Sequence, residues 1–349
     1  MAQNNSDVAN ISATVRYWLW LTAAMVFAMV VVGGATRLTE SGLSITEWKP
    51  ITGALPPLSA ADWADAFEKY KQIPQYSKLF PDMSLDGFKT IFLWEWSHRL
   101  LGRLIGVVFA LPLVWFWARG QLNAYLKPRL VGVLALGALQ GLVGWWMVKS
   151  GLVDRVEVSQ YRLATHLLLA TLTFTALVWL ATGLITRQSE ADLPAQGRLR
   201  RSSLAILLLA FCQIGLGALV AGLRAGLTYN TWPLMDGKII PPLADLTRTS
   251  PLWRNFFENV TTVQFDHRLV AYVLFVLAFW HALDALHARP NSRTARRAVV
   301  VALLIATQAG IGIMTLVLVV PIWAGIMHQA FAFVALSMIV VHFRRVQES

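Results

Sequence analysis

Apolar residues fall into eight long runs separated by polar segments, at roughly residues 17–35, 98–118, 130–148, 163–185, 203–222, 268–286, 298–318 and 323–343. A helix needs roughly 20 mostly apolar residues to cross the hydrocarbon of a bilayer, so each run predicts one transmembrane helix. The expected fold is all-α: a polytopic membrane protein of eight transmembrane helices. An even number of crossings returns both termini to the same side. Composition agrees, since 56% of the 349 residues are apolar, 14% are charged and the mean hydropathy is +0.54. A soluble domain is about one-quarter charged.

Charge decides which side is which. Basic residues of short loops stay in the cytoplasm. Arg119, Lys127 and Arg129 follow the second run; Arg187, Arg198, Arg200 and Arg201 follow the fourth; Arg289, Arg293, Arg296 and Arg297 follow the sixth; Arg344 and Arg345 follow the eighth. The opposite short loops carry only Lys149, Arg155 and Arg162, offset by Asp154 and Glu157, and no charge around Pro321. Both termini are therefore expected to be cytoplasmic. The net charge of +11 is largely this topogenic charge and implies no nucleic-acid partner. The polar start, MAQNNSDVANISATVR, precedes a full-length span without an A-x-A cleavage pattern, so the first helix is read as uncleaved. The single cysteine, Cys212, lies inside the fifth run, which excludes an intramolecular disulfide, thiol-ligated clusters and a Cys-x-x-Cys redox site.

The chain also resembles itself. EWSHRLLGRLIGVVFALPLVWF (95–116) is similar to QFDHRLVAYVLFVLAFWHA (264–282), matching His98 with His267 and Arg99 with Arg268. LQGLVG (139–144) matches TQAGIG (307–312), pairing Gln140 with Gln308, and His166 then falls opposite His328. GLSITEW (42–48) matches GLTYNTW (226–232), and both continue to a Pro-Pro pair. The implied repeat is a tandem duplication of a four-helix bundle, residues 1–190 and 191–349, with a pseudo-twofold along the membrane normal.

Each matched histidine lies near the outer start of an even-numbered span, so four imidazoles share one depth. Ionisable groups inside a membrane are costly and mark function. Two histidines per four-helix unit, on facing helices, suit axial ligation of a heme iron. A closed zinc site would want four ligands, and neither half offers cysteines or a tight His and carboxylate cluster. Arg99, Arg268 and Arg103 are natural partners for heme propionates, and Arg103 is equally suited to reach lipid phosphates.

The two copies differ in one informative place. Glu95 stands three residues before His98, whereas Gln264 stands three before His267. Residues i and i+3 share a helix face, so only the first half brings a carboxylate to its site; Asp266 points elsewhere around its helix. The plainer reading of Glu95 is a helix-start residue favoured by the dipole. The long outer loops are expected to carry short membrane-surface helices, with Trp63, Phe67 and Tyr70 on one face after Ser59, and Trp253, Phe256, Phe257 and Val260 on one face after Ser250-Pro251.

TRLTESGLSITEWKPITGALPP (36–57), EWSHRLLGR (95–103) and the fourfold histidine pattern resemble the heme A synthase family over nearly the whole chain. The branch resembled is the one without a cysteine pair in the first outer loop. The resemblance implies oxidation of a porphyrin methyl of heme O to a formyl, by two successive hydroxylations and loss of water, giving heme A for terminal oxidase biogenesis. It further implies a heme b cofactor held by His267 and His328 in the C-terminal half, and substrate heme O ligated or flanked by His98 and His166 in the N-terminal half, with Glu95 catalytic. Heme O synthase and cytochrome oxidase assembly factors are the implied partners. The implied location is the bacterial cytoplasmic (inner) membrane with the heme sites toward the outer face. The number of chains that assemble is left open.

A rival reading comes from the residues. His281 and His342 each lie fourteen positions after a matched histidine, about 21 Å along the helix. That spacing would suit a second heme, as in a cytochrome b-like electron-transfer protein, although the first half has no counterpart. A solute transporter has parallel repeats in its favour but would need a broken helix at mid-membrane.

Overall fold

The computed structural model describes residues 13–185 and 196–348. Arg187 and the first 12 residues, on which the basic-loop and uncleaved-leader readings partly rest, lie outside them. Among the described residues, eight helices are long and apolar enough to cross a membrane: α1 (Ala13–Leu38), α4 (Leu85–Ala118), α5 (Leu126–Lys149), α6 (Gln160–Gly183), α7 (Gln196–Gly222), α10 (Val260–Ala288), α11 (Arg293–Val317) and α12 (Ile322–Glu348). Short helices α2 (Ala60–Lys71) and α3 (Pro74–Leu79) precede α4, and α8 (Leu243–Leu246) and α9 (Asn255–Glu258) precede α10.

The helices begin where local chemistry satisfies the first free N–H groups. Ser84 accepts from Gly87 N to start α4, Asn259 accepts from Thr261 N and Thr262 N to start α10, and Ser292 accepts from Ala295 N to start α11. Because α4 starts at Leu85, Glu95 lies well inside the helix and is not a helix-start residue. The polar opening of this span is an extension of the helix that packs against the first long loop.

Helices α1, α4, α5 and α6 close into one four-helix ring, and α7, α10, α11 and α12 into another. The rings meet through α1 against α12, α6 against α7, and α6 against α12. Trp18 of α1 stacks on Phe109 of α4 at 5.0 Å, and Phe174 of α6 meets Phe333 of α12 edge-on at 5.3 Å, so aromatic packing runs within and between rings. Where α1 passes α12, a β-carbon at Gly34 would lie 2.5 Å from Gln329 Oε1, and Gln329 Nε2 donates to Val30 O at 2.8 Å. Outward-facing Leu111, Val114, Leu142 and Val276 are strongly exposed, the expected surface of a lipid-facing wall.

The first outer loop is a packed layer. Ser59 and Asp62 form a reciprocal capping box at α2. The α2 face bearing Trp63, Phe67 and Tyr70 packs on Phe88 and Phe92 of the α4 extension, which corrects the expectation that it lies on lipid. Tyr70 donates to Gln75 Oε1 at 3.0 Å, and burial pushes its phenol up from its ordinary pKa. In the second loop Ser250 caps no helix; Trp253, Phe256 and Phe257 instead project from a short 3-10 turn and α9, and all three are exposed.

Candidate functional site

Each ring carries one of the two repeated pairs of histidines. His98 stands on α4 and His166 on α6 of the first ring, and His267 on α10 and His328 on α12 of the second. All four are half-buried. Every imidazole fits into a notch made by a glycine on the adjacent helix. A β-carbon at Gly33 would stand 3.0 Å from His98 Nε2, at Gly144 3.0 Å from His166 Cε1, at Gly217 3.3 Å from His267 Cε1, and at Gly312 2.8 Å from His328 Cε1. Close ring-to-backbone approach is what glycine permits there. Sequence reading missed these four residues, although each of the matched LQGLVG and TQAGIG segments ends on one of them.

Glutamines complete three of the notches. Gln140 on α5 donates from Nε2 to the His166 carbonyl at 3.1 Å, Gln213 on α7 to the His267 carbonyl at 3.1 Å, and Gln308 on α11 to the His328 carbonyl at 2.9 Å. The amide nitrogens also stand beside the rings, 3.4 Å from His166 Nε2, 3.1 Å from His267 Nδ1 and 3.1 Å from His328 Nδ1. The Oε1 atoms of all three glutamines are buried without a hydrogen-bond partner. Buried polar atoms are rarely left so.

Glu95 is 2% exposed and straps the outer loop to α4. Its Oε2 accepts from Ser44 Oγ at 2.8 Å and Ile45 N at 2.7 Å, while Oε1 accepts from Arg99 Nε at 3.0 Å and Nη2 at 2.5 Å. Arg99 also donates to the carbonyls of Ile45 (2.8 Å) and Glu47 (3.0 Å). In the second ring Arg268 donates to the carbonyls of Tyr229 (2.7 Å) and Thr231 (3.0 Å), the residues that align with Ile45 and Glu47. Gln264 donates to the carbonyls of Ala225 (3.0 Å) and Tyr229 (3.3 Å). A carboxylate thus accepts from the loop in one ring where an amide donates to it in the other. Arg268, with no anionic neighbour equivalent to Glu95, leaves its Nε buried and unpartnered.

The arginines proposed from sequence as propionate partners are therefore occupied with the loops in this arrangement. Arg103 likewise donates to the carbonyls of Pro50 (2.8 Å) and Lys49 (2.9 Å). Other cations line an open surface depression where α5 ends and α6 begins, and there Lys149, Arg155 and Arg162 outnumber Asp154. Arg162 lies one turn before His166 on α6, donates to Trp146 O at 2.6 Å and stacks over that ring at 4.5 Å. The turn around Pro321 offers no charge at the corresponding place.

The second histidine set behaves differently. His281 and His342 lie with Nε2 atoms 2.7 Å apart, and Ser202 Oγ closes the chain at 2.6 Å from His281 Nδ1. Both imidazoles are buried, His281 at 0% and His342 at 1% exposure. Directly hydrogen-bonded imidazoles leave no room for an iron between them, which argues against the rival reading of a second heme here and for a polar knot in a packed core.

Two histidines in glycine notches, on opposite helices of each four-helix ring, fit an iron porphyrin, since imidazole is a natural ligand of heme iron. The fold and site together define an integral membrane protein able to hold heme between helices of a four-helix unit. The chain belongs to the COX15-CtaA family of cytochrome oxidase assembly proteins, whose model matches residues 16–340. It is similar to proteins named heme A synthase from Beijerinckia indica subsp. indica, 58% identical over 334 residues and covering 96% of this chain and 93% of that one. Those of Methylobacterium sp. (strain 4-46), at 57% over 95% of this chain and 91% of the relative, and Mesorhizobium japonicum, at 55% over 95% and 90%, are comparably alike.

Proposed function

We propose that the chain oxidises a methyl group of heme O to a formyl group, giving heme A for terminal oxidase biogenesis. The near full-length likeness to relatives named heme A synthase supports the reaction, and the observation that carries the division of labour is the buried carboxylate in only one ring. On this reading residues 1–190 and 191–349 arose by tandem duplication, the first binding substrate and the second a heme b cofactor. His98 and His166 hold the substrate iron; His267 and His328 hold the cofactor. Bound there, heme b supplies one-electron redox chemistry.

The chain's own residues do the rest. The notches fix each imidazole so that ligation costs little reorganisation. Glu95 places negative charge near the substrate site, where it stabilises positive charge developing on the methyl carbon or accepts its proton. While Ser44, Ile45 and Arg99 hold it, Glu95 acts through fixed charge; accepting a proton requires one of those donors to let go. Arg99 and Arg268 hold the loops closed over the sites, and Lys149, Arg155 and Arg162 offer the substrate carboxylates a cationic mouth. Both termini face the cytoplasm and both sites the outer side of the bacterial inner membrane, with heme O synthase and oxidase assembly factors as donor and acceptor.

Pyridine hemochrome spectra of the purified protein, with extracted hemes identified by mass, test this. Heme b together with heme O, heme A or a hydroxylated intermediate is expected. Heme b alone at two per chain would sink the reading.

A further inference from the structure

Three of the four site histidines are clasped by glutamine, and the fourth is not. The donation to a backbone carbonyl fixes which end of each amide is nitrogen, since a carbonyl oxygen only accepts. The same Nε2 also stands 3.1–3.4 Å from a nitrogen of the ring, so one amide nitrogen ties the backbone and the imidazole of the same histidine together and orients the ring.

Extending the GLSITEW and GLTYNTW match back along the helices pairs Gly33 with Gly217, the two residues that notch His98 and His267. One turn earlier stands Gln213 in α7, but Met29 in α1. Met29 packs its methyl against α4 one turn beyond His98, 3.2 Å from where a β-carbon of Gly102 would be. A thioether has no N–H to donate and is a weak acceptor. His98 therefore sits in its notch without a clasp.

We propose that Met29 makes His98 the releasable ligand, so that the N-terminal ring exchanges its heme while Gln213 and Gln308 lock the C-terminal one. Gln140, Gln213 and Gln308 are positioning residues, and Met29 determines which site turns over its occupant. This rests on the reading of the rings as substrate and cofactor sites.

The test is heme transfer from the purified full-length protein to excess apomyoglobin, followed optically, with remaining hemes typed by pyridine hemochrome. Met29→Gln should slow departure of heme O or A by about tenfold, and Gln213→Met should speed departure of heme b by about tenfold, the low end of what second-layer partners of metal ligands contribute. Met29→Gln is decisive where Gln213→Met fails to accumulate, and Gln308→Met repeats the heme b arm from another helix. Wild-type release rates in Met29→Gln, at wild-type heme content, would overturn the proposal. A wild-type protein carrying heme b alone would instead overturn the assignment of the rings, an outcome the typing step separates from the first.

Discussion

Glu40 and Arg224 form an ion pair across the two rings, and each stands two residues past the end of its helix, α1 or α7, at positions that the GLSITEW and GLTYNTW alignment makes equivalent. Both have left-handed backbones, with φ of 56° and 52°. Glu157 joins the pair by binding Arg224 and, at 2.6 Å, Arg37. The network staples the rings at their outer ends. Partly exposed pairs contribute about 1 kcal/mol or less each, so Arg224→Ala should lower the thermal midpoint in detergent by about 2–4 °C, with the loss shrinking in molar salt. Arg224→Gly should lose less than Arg224→Ala, because glycine adopts a left-handed backbone freely. Equal losses in low and high salt would deny the network its electrostatic role.

The glycine notches predict a graded response. Gly312→Ala puts a methyl 2.8 Å from the His328 ring, closer than any real contact, whereas Gly217→Ala meets His267 at 3.3 Å and Gly310→Ala meets nothing. Alanine favours an isolated helix over glycine by about 1 kcal/mol, so helix weakening cannot explain a defect. Heme b content should fall by more than about half in Gly312→Ala, fall less in Gly217→Ala and stay at the wild-type level in Gly310→Ala, at these values because a displaced ring no longer reaches its ligand position. Pyridine hemochrome against protein concentration reads it directly.

Glu95→Gln gives the first ring the side chain that the second already carries at Gln264. The amide can still accept from Ile45 N but cannot neutralise Arg99, so the fold should persist with a weaker loop strap. If the carboxylate serves the chemistry, heme A formation should drop by about 10²-fold or more while total heme stays constant. Normal turnover would reduce Glu95 to a loop anchor.

How much of this was legible in the chain depends on what each feature requires. The eight spans follow from apolar run length alone, because nothing but a helix crosses a bilayer there. The histidine pairs were legible because repetition marks them twice. The α2 face was misplaced because an amphipathic stripe looks the same whether lipid or protein covers it, and only the outward extension of α4, carrying Phe88 and Phe92, decides for protein. The loop bonds of Arg99 and Arg268 were hidden for a different reason: their partners are backbone carbonyls, which every sequence supplies and none announces. The spacing of His281 and His342 left a rival second-heme reading open, since it fixes height along the helix but says nothing of the gap between the two imidazoles.

That gap supports a final prediction. The Ser202, His281 and His342 chain joins α7, α10 and α12 inside an apolar core, so its value is structural. Removing His342 leaves His281 Nε2 buried without its partner, and a buried polar group left unpaired costs about 1–3 kcal/mol. His342→Ala should therefore lower stability in detergent by that amount, while the reduced-minus-oxidised spectrum and the heme count per chain stay at wild-type values. Replacing His281 and His342 together by Leu and Phe should recover part of the loss, because an apolar pair leaves nothing unsatisfied. Loss of a heme signal in His342→Ala without loss of the outer-site heme would restore the second-heme reading that the 2.7 Å contact argues against.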